Sequence, residues 1–525
     1  MFILNNLHLP LETNFGDIPA VVAKALKCKK QEIVRAELHR KSVDARKKDK
    51  VHFCCSVVFD CTPAIAKYAQ KQGATPYNPP AYLWPRAEKA HQHRPVVVGF
   101  GPAGMFAALC LARAGLRPIV LERGKRVEDR TADVEAFWQG APLNHQSNVQ
   151  FGEGGAGTFS DGKLNSGIKD PRCRTVLQTF VACGAPKNIL YDAKPHIGTD
   201  VLRQVVKNLR QKVLELGGEI WFETKFCNLQ LQEGQLTSIT VQQGGQERQI
   251  PCNQLILAIG HSARDTFSVL HAAGVPMQAK PFAVGARIEH PQALINKAQY
   301  GAFAEHSALG AADYKLATHL PNGRGVYSFC MCPGGVVVNA SSFAEGIVTN
   351  GMSYAARDGE NANSALLVGV EPADFGDDSP LAGVALQEKI ERAAYGAGNG
   401  LPVCQRVGDF LAKQPSKNIG SVKPTVLPAY TLGSLDDVLP DYVCDALRQG
   451  IAVFGRQIAG FNHPDSLLTA PESRSSSPVR ILRDEHCTSA VKGLYPAGEG
   501  AGYAGGILSS AVDGLRCAEA LVEQI

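Results

Sequence analysis

Several features that would settle a protein's class at once are missing from this chain of 525 residues. No apolar run is long enough to cross a bilayer. The longest apolar region, Val96 to Leu121, is broken by Gly99, Gly101, Pro102, Arg113 and Arg117, and reads as strand, turn and helix. Among 15 cysteines no pair has Cys-x-x-Cys spacing, so no zinc site, and no metal of any kind, is expected. The first residues lack the charged start, apolar stretch and small-residue cleavage pattern of a secretory leader, so reduced thiols and a cytoplasmic protein are expected. No internal repeat is visible, and 52 Gly with 31 Pro fall short of a low-complexity bias.

Net charge is small, +5, but unevenly spread. Residues 1–94 hold 16 Lys/Arg against 8 Asp/Glu, so this front segment is +8 and the remainder is −3. Lys24 to Lys50 carries most of the excess. Such a face suits nucleic acid, an anionic ligand or an acidic partner. No aromatic residues interleave with the charge as they do in single-strand binders, which makes a solvated surface the plainer reading.

What is present is an ordinary globular composition, 45% hydrophobic and 20% charged, in a chain long enough for several domains. Phe2–Leu9 alternates as a strand, and Asp17 caps a helix through Ala25. Ile33–Asp44 and Val51–Cys61 are strands around the basic turn Ala45–Lys50, and Pro63 opens a second helix. This order predicts an N-terminal ferredoxin-like α+β domain over residues 1–72. Residues 73–94, with Pro76, Pro79, Pro80 and Pro85, read as a Pro-rich linker.

From Pro95 the pattern turns to α/β. Val96–Phe100 is an apolar strand, Gly104–Ala114 a small-residue helix and Arg117–Glu122 a second strand. Thr199 or Asp200 caps a later helix whose apolar residues keep helical spacing, and Leu255–Ile259 is a strand ending at Gly260. Residues 95–281 and 481–525 are expected to form one domain. A mixed α/β module at 282–480, with strands such as Phe282–His290 and Gly335–Asn339, is inserted into it.

Three glycine clusters carry the chemistry. In VVVGFGPAG, Gly99 permits a tight turn, Gly101 lets a pyrophosphate lie against the chain and Gly104 lets the helix pack close, with Pro102 and Ala103 opening that helix. Glu122, 23 residues after Gly99, is placed for a ribose diol and against a 2′-phosphate, which indicates FAD or NAD rather than NADP. Arg123 and Phe226 are expected beside it. A second cluster, Phe151 to Gly167, is too glycine-rich to build a core and is read as wrapping a ligand, through Gly154, Gly155, Gly157, Thr158, Ser160, Asp161 and Lys163. The third is GLYPAGEGAGYAGGILSSAVDG, Gly493 to Gly514.

At this third cluster the chain resembles the glutathione-reductase-type flavoprotein superfamily, in which such a turn ends in Gly-Asp and its acid binds the ribityl chain. The resemblance implies FAD held by Gly498 and Glu499, here Glu for the usual Asp, with Gly505, Gly506 and Ile507 bringing a helix N-terminus to the flavin. It also matches LILAIG, Leu255 to Gly260, to the strand before that superfamily's ATG turn. FCMCPGG (Phe329 to Gly335), NGMSYAARDGENANSA (Asn350 to Ala365), PESRSSSPVRI (Pro471 to Ile481) and KSVDARKK (Lys41 to Lys48) further resemble a family of predicted bacterial NAD(FAD)-utilising dehydrogenases.

The implied fold is a Rossmann-like FAD-binding domain with an inserted substrate or cap domain. The implied function is an FAD-dependent oxidoreductase working through flavin N5 on a small molecule, with NADH or NADPH as a transient donor. No second GxGxxG marks a separate nicotinamide domain. Cys330 and Cys332 read as buried structural thiols. His261 and His290 are proton-donor candidates, although a capped or surface role suits either, and Arg474 and Arg480 could grip an anion. No residue is singled out as catalytic. Alternatives are an RNA-linked flavoprotein using the basic front domain, or FAD as a structural or sensing ligand. The sequence gives no oligomeric state.

Overall fold

A computed structural model describes residues 1–79, 81–88 and 93–524; Pro80 and residues 89–92, all within the expected linker, and residue 525 lie outside it. In the front unit, strand Phe2–Leu9 is followed by helix Ile18–Leu26, strands Ile33–Asp44 and His52–Cys61, and helix Pro63–Lys71. Asp17 does cap the first helix, its side chain accepting from the Ala20 N–H at 3.2 Å. The chain then adds a strand inside the expected linker. Thr75–Pro76 pairs antiparallel with Phe2 and Ile3, so the sheet has four strands, with the last and third in chain order flanking the first. Further along, the Tyr82 hydroxyl bonds Glu519 at 2.5 Å and the Arg113 guanidinium sits 4.5 Å over the Trp84 ring, so this stretch is packed to the body at both points.

The α/β domain expected to bind the nucleotide is built on a five-stranded parallel sheet in the order Leu494–Pro496, Leu255–Leu257, Val96–Val98, Ile119–Leu121 and Glu219–Trp221. All three valines of the central strand are buried, as parallel strands covered on both faces require. Helix Pro102–Arg113 is buried on every side from Ala103 to Ala112, so its small residues let it pass between the sheet and the C-terminal helix Ile507–Glu523. Neither Thr199 nor Asp200 caps the helix that begins there. The cap is Gly198; the Thr199 hydroxyl bonds the Thr158 carbonyl, and the Asp200 carboxylate accepts the Ala355 N–H.

The chain leaves this domain along Met277–Ala279 and returns along Val479–Ile481, and these two segments pair antiparallel. Between them lies a seven-stranded mixed sheet whose central strands, Phe282–Pro291 and Asn361–Val370, are almost wholly buried. Among the described residues no helix is long and apolar enough to cross a membrane.

The front unit is docked on both halves of the body. Lys41 exchanges backbone hydrogen bonds with Tyr191 and Ala193 at 2.7 and 2.8 Å, and its ammonium lies 3.7 Å from Asp192. Val51, Phe53 and Cys55 pack with Tyr300, Phe303 and Leu309 of the second module. Part of the basic excess is therefore engaged internally, since Lys48 reaches the Gln299 carbonyl and Lys30 pairs with Asp17. Phe53→Ala should remove about 3–5 kcal/mol from this joint. We expect limited proteolysis to release the front unit from the variant sooner than from wild type; equal rates would mean the joint does not hold it.

Candidate functional site

A cavity of about 510 Å³ lies between the nucleotide-binding sheet and the second module. Its floor is the first glycine cluster. Gly99 has φ +93°, and a Cβ there would stand 2.3 Å from the Ala258 carbonyl. A Cβ on Gly104 would stand 1.9 Å from the Gly99 carbonyl, so the helix start is pressed onto the strand end. No side chain caps helix Pro102–Arg113, and Gly101, Pro102 and Ala103 line the cavity. Helix Ile507–Glu523 also begins without a side-chain cap, with Gly505, Gly506 and Ile507 on the same cavity. Two helix N-termini thus bring unpaired N–H groups and positive dipole ends to one space, as an anionic ligand requires.

Glu122 is 5% exposed and lines this space. Its carboxylate is more occupied than a free ribose acceptor would be. It accepts the Phe100, Gly124 and Gly152 N–H groups at 2.8, 2.9 and 3.0 Å. A carboxylate offers about four acceptor positions, which leaves about one for a ligand hydroxyl. Arg123 stacks 4.1 Å over Phe151 and makes a two-pronged pair with Asp265, while Phe226 and Gly260 line the cavity near it.

Of the second cluster, Gly155, Gly157, Ser160, Asp161 and Lys163 reach the cavity. Four expected residues lie off it. Thr158 is fully buried beneath Gly154, whose Cβ position its hydroxyl fills, so both support the loop from behind. Gly104 is a packing residue, and Gly498 is held away by its N–H bond to Asp513 at 2.7 Å. Asp161 is bound by Arg357, at 2.9 Å from Nε, and stands 3.9 Å from Lys163.

The second module supplies the opposite wall, where the sequence reading saw least. Arg287 is fully buried in a strand that also buries Glu289 and His290. It forks onto Glu472 at 2.8 and 3.1 Å, and donates to the Cys330 carbonyl and to the side-chain oxygens of Asn363 and Asn350. Glu472, Asn350 and Cys330 all line the cavity. Asn350 is held by its oxygen, which also accepts the Gly351 N–H, so its NH₂ is left for the cavity. The available signal was Arg287 itself, a charge inside a strand of core residues.

Cys332 is buried, but Cys330 is not the buried thiol expected. It sits at a bulge with φ +40° and is open to the cavity. Although its side chain opens to the cavity, the protein crowded around this recess desolvates its thiol and pushes it up to about 12.

His261 lines the cavity with Nδ1 3.3 Å from Glu499 Oε1, and its Nε2 has no partner. His290 is elsewhere. It is fully buried against Phe461, Nε2 at 2.7 Å from that residue's carbonyl, and burial lowers it to about 4, so it is neutral. Arg474 lines the cavity but is held by Glu391, Ser262 and Ser342, and Arg480 lies outside the cavity over Tyr503.

An uncharacterised protein of Clostridium beijerinckii is 47% identical over 528 residues, covering 99% of this chain and 98% of that one. The chain belongs to the family of that protein. Residues 281–475 match the family described as FAD-dependent protein, C-terminal domain-like, and residues 1–60 match a domain of unknown function. Among solved structures, a quinol fumarate reductase from E. coli is 12% identical, with TM-score 0.37, over 83% of this chain and 70% of that one. A flavin-dependent brominase is 13% identical, with TM-score 0.36, over 82% and 80%. At that level of likeness nothing about activity passes to this chain.

FAD is the cofactor of this chain, and the residues present fit it. A Cβ on Gly101 would meet nothing closer than the Gly155 Cα at 3.6 Å, and one on Gly505 would meet nothing within 4 Å. The protein's own packing does not require these glycines, so the cavity space beside them is open to a ligand. Gly101→Val and Gly505→Val should therefore keep the thermal unfolding midpoint of the flavin-free chain and lose visible flavin absorption. Loss of both together, or of neither, would contradict the fit.

The same cavity wall predicts a pH effect. Burial alone would raise the Glu391 carboxyl, but Arg474 and Arg264 together bring it down from 4.5 to about 2. A folded-state value below the unfolded one stabilises fully above about pH 4.5, and that contribution is lost as pH falls toward 2. Glu391→Gln should cost about 3–5 kcal/mol near neutral pH and flatten this acid limb in urea unfolding. An unchanged slope would show that Glu391 is not ionised there.

Proposed function

We propose that the protein is an FAD-dependent oxidoreductase acting on a small molecule enclosed between the nucleotide-binding domain and the second module. One observation carries the reading. A single cavity is shared by two uncapped helix N-termini and by the polar groups that Arg287 fixes on the module opposite. Gly99, Gly101, Pro102, Ala103 and Glu122 would hold the ADP half of FAD. Gly155, Gly157, Gly260, Glu499, Gly505, Gly506 and Ile507 would flank the rest. When bound, FAD supplies two-electron transfer to or from an organic substrate.

The chain's own residues supply position and protons. Asn350 presents its NH₂ to the enclosed molecule, with Arg287 keeping the amide from turning over. The Cys330 thiol stays protonated at neutral pH and offers a weak donor rather than a nucleophile. Glu499, 3.3 Å from Nδ1, orients His261, whose Nε2 is buried without a partner among the described residues. The sheet of the second module closes the space from above and limits water. Residues 1–72, in a ferredoxin-like strand order, act as a docked unit that ties Tyr191–Ala193 to Tyr300–Leu309. This reading agrees with the resemblance to NAD(FAD)-utilising dehydrogenases and with nicotinamide as a transient donor to a cytoplasmic enzyme.

The test is anaerobic. Added NADH or NADPH should bleach the visible band of the flavin-loaded chain, and air or an organic acceptor should restore it. A flavin band that no nicotinamide and no organic donor alters would leave FAD without a redox role and defeat the proposal.

A further inference from the structure

Most charges on the cavity wall are cancelled from within the protein. Arg123 and Lys225 share Asp265, Arg474 is held by Glu391, and Glu472 is held by Arg287. Lys194 pairs with Asp313 at 2.6 Å and Asp161 is taken by Arg357, while Glu499 lies beside His261, which cancels its charge only when protonated. Lys163 and Lys315 are left over. The nearest carboxylate to Lys163 is Asp161 at 3.9 Å, already bound by Arg357. Lys315 makes no ion pair or side-chain hydrogen bond among the described residues, and neither does the Asn165 amide beside them.

Around this end the lining groups Lys163, Lys194 and Lys315, together with Arg357 bound to Asp161 from outside the lining, stand against Asp161 and Asp313, an excess of two positive charges. The wall they share includes Tyr314, Phe329 and Met331, and an apolar wall of low polarisability strengthens the field in such a recess. Lys163, Asn165 and Lys315 belong to segments other than the Gly99–Gly104 turn assigned to the ADP half.

We propose that the substrate is an organic anion, bearing at least one carboxylate or a comparable group, held at this end by Lys163 and Lys315 with Asn165 as a further donor. The proposal rests on the oxidoreductase reading above, since it assigns the substrate of that same cavity. The frame for these residues is fixed by the front unit, whose Lys41 bridges the segment just before Lys194.

Calorimetric titration of the FAD-loaded chain tests it, with citrate, malonate and acetate as probes and ethylammonium as the cationic control. Affinity should fall in the order citrate, malonate, acetate, weaken as salt is raised, and be undetectable for ethylammonium. Lys315→Gln should lower citrate affinity by roughly tenfold with flavin retained, and Lys315→Arg should restore it. Equal citrate affinity in wild type and Lys315→Gln, or preferred binding of ethylammonium, overturns the inference. Visible absorption of the same samples separates the two levels. A chain that retains no flavin defeats the oxidoreductase reading, whereas a flavin-loaded chain indifferent to all three anions defeats the substrate class alone.

Discussion

The cavity exists because two modules are held face to face, by a buried ionic joint and by apolar residues such as Trp138 and Phe159 packed on Val338, Val348 and Met352. Glu391 has no exposure and lies between Arg264 of the nucleotide-binding domain and Arg474 at the end of the second module. Ser473 also donates to Glu391, while Ser262 and Ser342 take up the remaining Arg474 donors. Burying three charges is costly unless every group is matched, and here nearly every donor finds an acceptor. The matching fixes the angle between the modules. That angle sets how far the Arg287 network stands from the glycine turn at Gly99–Gly104.

The division of labour follows from the two cores. The nucleotide-binding sheet and its small-residue helix pack backbone against backbone, which leaves bare N–H groups at the cavity floor. The second module packs side chain against side chain and buries the Arg287 guanidinium as an organiser of its cavity wall. In the proposed reading the floor recognises the cofactor's phosphates and the roof orients what meets the flavin. The front unit touches both, through Lys41 and through the Phe53 cluster, which gives a physical reason for a small domain placed ahead of a nucleotide-binding strand.

Much of the floor was legible in the sequence because its constraints are local. Gly99, Gly101 and Glu122 are set by one strand–turn–helix, and Gly505 to Ile507 by another. Thr158 and Gly154 were misread because composition marks a glycine loop but not which of its faces meets a ligand. The roof was nearly illegible. Asn350, Glu472 and Cys330 come together only through the pairing of distant strands, and their partner Arg287 lies 185 residues from Glu472. Thr75–Pro76 escaped notice because a two-residue edge strand carries no alternation, and Pro there looked like a linker.

The central claim is that this cavity is built for FAD, and the most direct measurement is the mass of the small molecule released when the purified chain is denatured. The account predicts FAD, about one per chain, and its uptake again on return to native conditions. Release of FMN or a nicotinamide dinucleotide in its place, or a colourless chain that takes up no FAD, would contradict it.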